Sequence, residues 1–379
     1  MTRPGTATER AAVEVDYDLH GLVGIRLLGA SPRDAAAVRR QLGPIEAPLG
    51  REPDIVVRFV DRLPTPSSLR YLGVEDAAFT DDAFLVLRSK HKARAKVRIA
   101  FEEIGGKPEI VCERGLPAVP LLIPIVNLTV LARGALALHA SAFAYDGVGV
   151  VSTGWSKGGK TEALLAFAAR GARYIGDEWV YVSSDGQRVF GIPEPIRLWE
   201  WHLRDLPEYR ARVPRGDLAR LRAIKLFRSL EQVVPPQGRL APVKAFNRIA
   251  PLLRRQLFVD MDPERLFDGT LGPRSGSFDR LFFVASHESP EITVEPIEPE
   301  EVARRMAFSL QHERLDFMAF YLKFRFAFPD AANPLIDGAG ELERRALERA
   351  LAGKPAYAVH HPYPVSIPAL FDAMDPYCR

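Results

Sequence analysis

The sequence predicts an α/β protein with a mixed sheet, preceded by a separate α+β domain. Its 379 residues exceed what one hydrophobic core usually serves, so two or three domains are expected. Strand-like apolar runs alternate with helical patterns along most of the chain. A glycine-rich turn at residues 154–161 separates an apolar strand from an amphipathic helix. We therefore expect an N-terminal α+β domain at 1–115, an α/β core at 116–290, and C-terminal elements at 291–379 that complete or cover the core.

Composition and charge narrow the class of protein. The formal charge of +3 is nearly neutral for this length, so nucleic acid is an unlikely partner. Cys112 and Cys378 lie far apart, which predicts neither a disulfide framework nor a zinc site and suits a reducing cytoplasm. Residues 1–12 are polar and lack the apolar core of a signal peptide. The most apolar stretch, 116–144, is interrupted by prolines, so it predicts a buried helix and a buried strand and no membrane span.

The elements are expected in the following order. In the N-terminal region, β-type patterns predict strands at 22–28, 54–60, 83–87 and 96–101 and a helix at 32–42. In the core, strands are predicted at 136–145, 148–153, 172–175, 179–183 and 187–190 and a helix at 160–170, whereas 207–255 is expected to be irregular or short-helical. Toward the C-terminus, a closing hairpin is predicted at 281–285 and 292–296, helices at 299–324, 340–352 and 367–374, and a strand at 356–360. Asp146-Gly147 predicts a two-residue hairpin turn between the strands at 136–145 and 148–153.

One N-terminal segment has a basic residue at every second position. These residues are Arg88, Lys90, Lys92, Arg94, Lys96 and Arg98. In an extended strand all six would lie on one face, which could contact phosphate, an acidic partner or an anionic polymer. The alternative is a solvated hairpin tip whose apolar ends face the core, and we favour it because charge runs are usually solvated.

The glycine-rich turn has the residue pattern of a phosphate-binding loop. It reads Gly154-Trp155-Ser156-Lys157-Gly158-Gly159-Lys160-Thr161 and fits the phosphate-binding pattern GxxxxGK[ST] at every fixed position. Its glycines let backbone N–H groups turn inward around an anion, and the following helix points its positive end at the phosphates. Lys160 is expected to reach the β- and γ-phosphates and the Thr161 hydroxyl to bind Mg²⁺, with Glu162 closing the nucleotide-binding segment. The chain should therefore bind ATP or GTP with Mg²⁺.

Two adjacent acids, Asp177 and Glu178, follow the loop closely. Only one helix and one short strand intervene, so both carboxylates are expected beside the loop. Adjacent acids allow a division of labour, in which one accepts a proton from an incoming hydroxyl and the other holds the metal through water. The alternative is an acidic turn at a strand end, but the neighbouring loop favours the functional interpretation.

These residues resemble the catalytic domain of the HPr kinase/phosphorylase family. That domain contains a strand with a histidine, a hairpin, the loop, a helix ending in Arg-Gly, and an acidic pair. Gly154 follows His139 by 15 residues, and Asp177 follows Lys160 by 17, in agreement with the family. The resemblance covers about residues 139–183. The matching segments are Leu138-His139-Ala140-Ser141-Ala142, Gly147-Val148-Gly149-Val150, the loop itself, Lys160-Thr161-Glu162, Arg170-Gly171 and Gly176-Asp177-Glu178.

The resemblance implies roles for the residues of the candidate site. Thr161 would bind Mg²⁺, Asp177 would be the base that activates the acceptor hydroxyl, and His139 would support that base. We expect the Asp177 carboxylate to face the acceptor, and Glu178, which replaces the family's aspartate, to lie nearer Thr161 on the Mg²⁺ side. The Arg-Gly-Leu-Gly segment of true HPr kinases is missing. The chain is therefore similar to the HPr-kinase-related P-loop proteins, whose acceptors include small molecules and peptides.

The predicted function is transfer of the γ-phosphoryl group of ATP or GTP to a hydroxyl acceptor, a small molecule or a peptide. Two alternatives stay open: a nucleotide-binding regulator that hydrolyses slowly or not at all, and a serine kinase acting on a protein or a modified peptide. The intact Asp177 beside an intact loop argues against the regulator. A homo-oligomer is compatible with these features, and no membrane partner is expected.

Other candidates are weaker. Trp199 and Trp201 would stack on a base or, more typically, pack a domain seam. An additional phosphate clamp could come from Arg197, Lys244 and Arg248. His360-His361 with Cys378 lacks the spacing of a metal site, so no metal beyond Mg²⁺ is expected.

Overall fold

A computed structural model describes residues 13–64, 68–73, 75–88, 94–231, 257–267 and 271–378. These residues form a mixed α/β protein with two large sheets and a two-stranded one. The helices are α1 (Pro32–Leu42), α2 (Leu122–Ala132), α3 (Lys160–Ala168), α4 (Glu200–Asp205), α5 (Pro207–Arg212), α6 (Arg215–Glu231), α7 (Pro263–Leu266), α8 (Pro299–Glu313), α9 (Leu315–Ala327), α10 (Pro334–Leu351) and α11 (Ile367–Met374). The strands are β1 (Val13–Leu19), β2 (Val23–Ala30), β3 (Ile55–Val60), β4 (Arg70–Leu72), β5 (Ala77–Phe79), β6 (Phe84–Arg88), β7 (Arg94–Ile99), β8 (Glu109–Glu113), β9 (Leu136–Tyr145), β10 (Val148–Thr153), β11 (Arg173–Gly176), β12 (Trp179–Val182), β13 (Arg188–Gly191), β14 (Ile196–Trp199), β15 (Phe258–Met261), β16 (Ser275–Ser277), β17 (Arg280–His287), β18 (Thr293–Pro296) and β19 (Ala356–Pro362).

The first sheet uses only β1 to β8, in the order β1-β2-β3-β8-β7-β6-β5-β4. β2 is parallel to β3 and β3 to β8, whereas the other neighbours are antiparallel. Between β2 and β3 lies α1, which begins at a capping box: the Ser31 hydroxyl accepts from the Asp34 N–H, and the Asp34 carboxylate accepts from the Ser31 N–H. The helix expected at 32–42 is confirmed, while β1, β4, β5 and β8 were not anticipated.

The basic segment forms parts of the antiparallel strands β6 and β7. Arg88 lies 2.9 Å from Glu75, Lys96 lies 3.1 Å from Glu113, and Arg98 lies 3.8 Å from Glu109. On the other face of β7, alternate residues are buried. The described part therefore fits a solvated hairpin with paired charges; Lys90 and Lys92 lie outside the described residues.

The second sheet runs β16-β13-β12-β9-β10-β17-β19-β18, and β11 pairs with β9 outside this path. β10 lies near the middle, antiparallel to β9 and parallel to β17. At the turn between β9 and β10, Asp146 and Gly147 have φ values of 48° and 85°, as a tight two-residue hairpin requires. The predicted hairpin directly before the loop is confirmed.

The predicted closing hairpin at 281–285 and 292–296 is wrong. β17 and β18 are both strands, but β19 lies between them, parallel to β17 and antiparallel to β18. A short connection favours local pairing in sequence reasoning. The interior position beside β17 is taken by β19, which buries Ala356, Ala358 and Val359, whereas the more exposed β18 lies at the edge of the sheet.

Two predicted helical regions also differ. The helix expected at 299–324 is two helices, α8 and α9, which meet at Arg314. The helix expected at 340–352 begins earlier, where the Asn333 side chain accepts from the N–H groups of Leu335 and Ile336. Of the segment 207–255, the described part contains α5 and the longer α6, and residues 232–255 lie outside the described residues.

The C-terminal helices pack on the first sheet as well as the second. Phe324 of α9 packs edge-on against Phe84 of β6 with ring centroids 5.9 Å apart, and the Asn333 amide donates at 2.8 Å to the carbonyls of Phe101 and Ile104, which follow β7. Buried residues of both sheets belong to one apolar cluster, so the three-part domain division stays a prediction. Among the helices of the described ranges, none has both the length and the apolar character needed to cross a bilayer.

Candidate functional site

The loop at 154–161 follows β10 and packs against the neighbouring strands β17 and β19. A Cβ atom added at Gly154 would lie 2.2 Å from the Val284 carbonyl oxygen, and one at Gly159 would lie 2.1 Å from His361 Nε2. Gly159 also has a φ of 110°, which favours glycine. Glycine is therefore required at both positions, and the loop backbone lies directly against β17 and β19.

The loop ends where α3 begins. The first intrahelical hydrogen bond runs from the Ala163 N–H to the Gly159 carbonyl, so the N–H groups of Lys160 and Thr161 stand at the open N-terminal end of the helix. This end carries a partial positive charge. Glycine backbone, open amides and helix orientation together fit a phosphate group.

Lys160 is 6% exposed, and its ammonium group donates to the loop itself. Nζ lies 3.0 Å from the Trp155 carbonyl oxygen and 3.4 Å from that of Gly154. Burial lowers the pKa of Lys160, and the nearby carboxylates of Glu178 and Asp177 oppose this effect. A buried ammonium held only by carbonyl oxygens can move to a phosphate oxygen, which offers a stronger, charge-assisted partner.

Asp177 contacts the loop through Thr161. The Thr161 hydroxyl donates to the Asp177 carboxylate, with Oγ1 2.9 Å from Oδ2 and 3.2 Å from Oδ1. Asp177 is 3% exposed. Burial and then repulsion from Glu178 raise the pKa of Asp177, although Thr161 and Lys160 act in the opposite direction. This hydroxyl–carboxylate pair at the start of a helix offers hard oxygen ligands, which suit Mg²⁺.

Glu178 points away from Thr161, so the expected placement of the two acids is wrong. Glu178 has a φ of 65°, a left-handed conformation that costs on the order of 1 kcal/mol for a non-glycine residue. This turn directs its carboxylate to His139, with Oε2 3.1 Å from Nε2, and leaves the side chain 54% exposed. Asp177, not Glu178, is the acid beside Thr161. Sequence spacing does not reveal which way each side chain of a strained dipeptide turns.

His139 lies on β9 between two carboxylates. Its Nε2 faces Glu178, and its Nδ1 lies 3.0 Å from Oε1 of Glu313, which is the last residue of α8. The Trp179 ring covers the imidazole at a centroid distance of 5.8 Å. Burial disfavours the charged ring, but the carboxylates of Glu178 and Glu313 outweigh it and raise the pKa of His139. Hydrogen bonding to His139 lowers the pKa of Glu178, although burial acts against it.

Glu162 faces the interior behind the loop. Its Oε1 lies 3.1 Å from Nε2 of His202, and both side chains are almost completely buried. The Trp199 N–H donates to Nδ1 of His202, so Nε2 carries the proton and donates to Glu162. His361 of β19 supports the loop from below, with Nε2 2.9 Å from the Gly158 carbonyl oxygen.

The exposed part of the loop consists of Trp155, Ser156 and Lys157. Trp155 is 51% exposed, and its ring stacks on His312 with centroids 4.8 Å apart. Sequence reasoning missed His202, His312 and Glu313, and it considered His361 only as a metal ligand. All four come from outside the recognised motif, and no short-range pattern marks them.

The remaining candidates make their main contacts outside the loop. Arg197 pairs with Asp260 at 2.9 Å and covers the Phe258 ring, so the structure places it in the small β14–β15 sheet. Trp199 packs edge-on against Phe258, and Trp201 packs against Tyr363, as expected for packing residues. Lys244 and Arg248 lie outside the described residues.

Within the described ranges, no group of three or more His, Cys, Asp or Glu side chains could hold a metal ion by itself. No protein-family model matches the chain, and no curated protein matches it significantly.

Proposed function

We propose that this protein is an HPr-kinase-related phosphotransferase, built on an HPr-kinase-like P-loop domain, that moves the γ-phosphoryl group of ATP or GTP to a hydroxyl acceptor. The observation that carries the proposal is the 2.9 Å contact between the Thr161 hydroxyl and the Asp177 carboxylate at the open end of α3. A buried lysine and a second, more exposed acid stand within the same site. Nucleotide binding alone would not require that second acid and its histidine.

The loop and Lys160 would bind the phosphates. Lys160 would leave the carbonyls of Gly154 and Trp155 and contact the β- and γ-phosphate oxygens, where its charge stabilises the transferring group. Thr161 and Asp177 would hold Mg²⁺, which supplies positive charge to the phosphates. A cation beside Asp177 would stabilise the charged carboxylate, against the burial that raises its pKa.

Glu178 is the better candidate for the base. A base must reach the acceptor hydroxyl, so a candidate is judged first by the position of its carboxylate and only then by its pKa. The Glu178 side chain is about half exposed at 54%, whereas Asp177 is 3% exposed and holds Thr161. The raised pKa of Asp177 would suit a base, but its carboxylate faces the metal side. His139 would keep Glu178 oriented and charged.

A matched pair of isosteric variants tests these roles. Asp177→Asn should lower the Mg²⁺-dependent affinity for ATP by about tenfold or more, because the metal loses an anionic ligand. Glu178→Gln should leave that affinity within about threefold and lower turnover about a hundredfold, because the proton acceptor acts in the transition state. Affinity is measured by calorimetry with a non-hydrolysable ATP analogue.

Turnover is measured as hydrolysis of ATP and as transfer of label from ATP to peptides and small hydroxy compounds of a cell extract. If Asp177→Asn lowered turnover alone and Glu178→Gln lowered Mg²⁺-dependent affinity, Asp177 would be the base. Tight nucleotide binding by the wild-type protein without any turnover would favour the regulator instead. Label appearing mainly in peptides would favour the serine kinase.

A further inference from the structure

The junction between α8 and α9 touches the candidate site at two points. His312 stacks on Trp155 of the loop, and the Glu313 carboxylate lies 3.0 Å from Nδ1 of His139. Arg314, the next residue, forms an ion pair with Glu343 of α10. Three consecutive residues thus connect the loop, the histidine and the helical layer.

The junction is well anchored. The side chains of Arg314 and Glu343 are each 12% exposed, and a buried ion pair of this kind is costly to break. The Arg314 N–H donates to the carbonyls of Leu310 and Gln311 at 3.2 Å, which ends α8 at this point. The backbone of Glu313 is therefore held between a helix end and a buried ion pair, which keeps its carboxylate within reach of His139 on β9.

His139 needs a partner at Nδ1. The residue is 5% exposed, and Nε2 is already directed to Glu178. A buried ring nitrogen without a partner would cost about 1–3 kcal/mol. Glu313 is the acidic group that faces Nδ1, and the proximity of His139 lowers the pKa of Glu313 despite its partial burial. The contact between Nδ1 and Glu313 Oε1 is an ion-pair contact whose angle lies outside hydrogen-bond limits, so the two flanking carboxylates favour the charged ring, and Nε2 makes the hydrogen bond to Glu178.

We propose that Glu313 is a positioning residue of this site: its carboxylate holds the His139 imidazole so that Nε2 donates to Glu178. This inference rests on the proposed function and extends it to a residue 174 positions from His139 in the chain. Glu313 acts through His139, in the way that an acid beside a catalytic histidine fixes the orientation and protonation of the ring.

The test compares Glu313→Gln with Glu301→Gln in the full chain. Glu301 lies on the same helix, pairs with Arg304 and Arg305, and loses the same charge far from the loop. The ¹⁵N–¹H spectrum of histidine-labelled protein, with the His139 signals assigned from a His139→Gln variant, reports which ring nitrogens carry protons. Hydrolysis of ATP and calorimetric affinity for a non-hydrolysable ATP analogue are measured on the same samples.

Glu313→Gln should move the His139 ring signals away from the doubly protonated pattern, lower the rate of hydrolysis about tenfold, and leave nucleotide affinity within about twofold. Glu301→Gln should change none of the three. Unchanged His139 signals in Glu313→Gln, or an unchanged hydrolysis rate in an active wild-type background, would overturn the inference. A wild-type protein that neither binds nor hydrolyses ATP would instead refute the proposed function, and the ring signals would then decide the Glu313–His139 contact by themselves.

Discussion

The β6–β7 hairpin of the first sheet and the loop of the second are both rich in charge, but they hold it differently. On the hairpin, the Arg98 and Glu109 side chains are 50% and 34% exposed, and such pairs contribute little. Beside the loop, Lys160 and Asp177 are 6% and 3% exposed, and the pKa values of both are shifted. A candidate site differs from a solvated surface because its charged side chains are buried and close together. The number of charges alone does not make this distinction.

The largest effect on stability is expected for the buried pair of Glu162 and His202. His202→Leu should lower the free energy of unfolding by about 3 kcal/mol, because it leaves the buried Glu162 carboxylate without its donor. Denaturant unfolding at neutral pH measures this change. A loss below about 1 kcal/mol would mean that the pair behaves like a surface pair and would remove the contrast between the two regions.

The pH dependence of the stability of His202→Leu tests whether the His202–Glu162 contact is responsible for this loss. Burial alone would raise the pKa of Glu162, but the hydrogen bond from His202 lowers it overall. A carboxyl whose pKa is lower in the folded state stabilises the fold above its unfolded pKa and loses that contribution as the pH falls through the folded value. The difference in unfolding free energy between wild type and His202→Leu should therefore shrink in acid. A difference that grows in acid would contradict this assignment.

The second effect concerns ligand binding. Lys160→Ala should weaken affinity for Mg²⁺-ATP about a hundredfold, equivalent to about 2.7 kcal/mol, because a charge-assisted contact with phosphate is lost. The fold should persist, since among the described residues Lys160 donates to the loop carbonyls of Gly154 and Trp155 and to no other element. Calorimetry measures affinity, and circular dichroism checks the fold. Equal affinity in a folded variant would remove the nucleotide site.

The smallest effect is expected on the hairpin. Arg98→Gln should change the free energy of unfolding by less than about 0.5 kcal/mol, because Arg98 is half exposed and Glu109 keeps Arg58 at 2.7 Å. Affinity for Mg²⁺-ATP should be the same as in the wild type. A clear loss of affinity would show that the basic strand takes part in binding, and the comparison between the two regions would fail.

Local structure near the loop was predictable from the sequence. The Asp146-Gly147 turn has few backbone alternatives, so the hairpin before the loop follows from two residues. The loop glycines and the start of α3 likewise depend on interactions between near neighbours, although α3 is buried on nearly all sides and is not the amphipathic helix that was expected. Strand pairing was less predictable: β18 pairs with β19 and not with β17, because the partner that buries an edge can come from any part of the chain.

The candidate site was predictable only where its residues belong to one motif. The motif named Lys160, Thr161, Asp177 and Glu178, yet it misplaced the two acids because the direction of the Glu178 side chain depends on a left-handed backbone conformation. A single strained residue in a two-residue acidic turn leaves no signal in composition or periodicity.

By itself, the sequence determined the strand, loop and helix that can hold a phosphate, because these depend on backbone freedom and hydrogen bonds between near neighbours. Only the tertiary structure decided what surrounds them. It brings His361 to Gly158 across 203 positions of the chain and Glu313 to His139 through the end of α8. Those contacts follow from sheet order and helix packing, which are set by burial of apolar surface across the whole molecule. Glu313 and His361 therefore join the charged residues of the motif through the packing of the whole molecule.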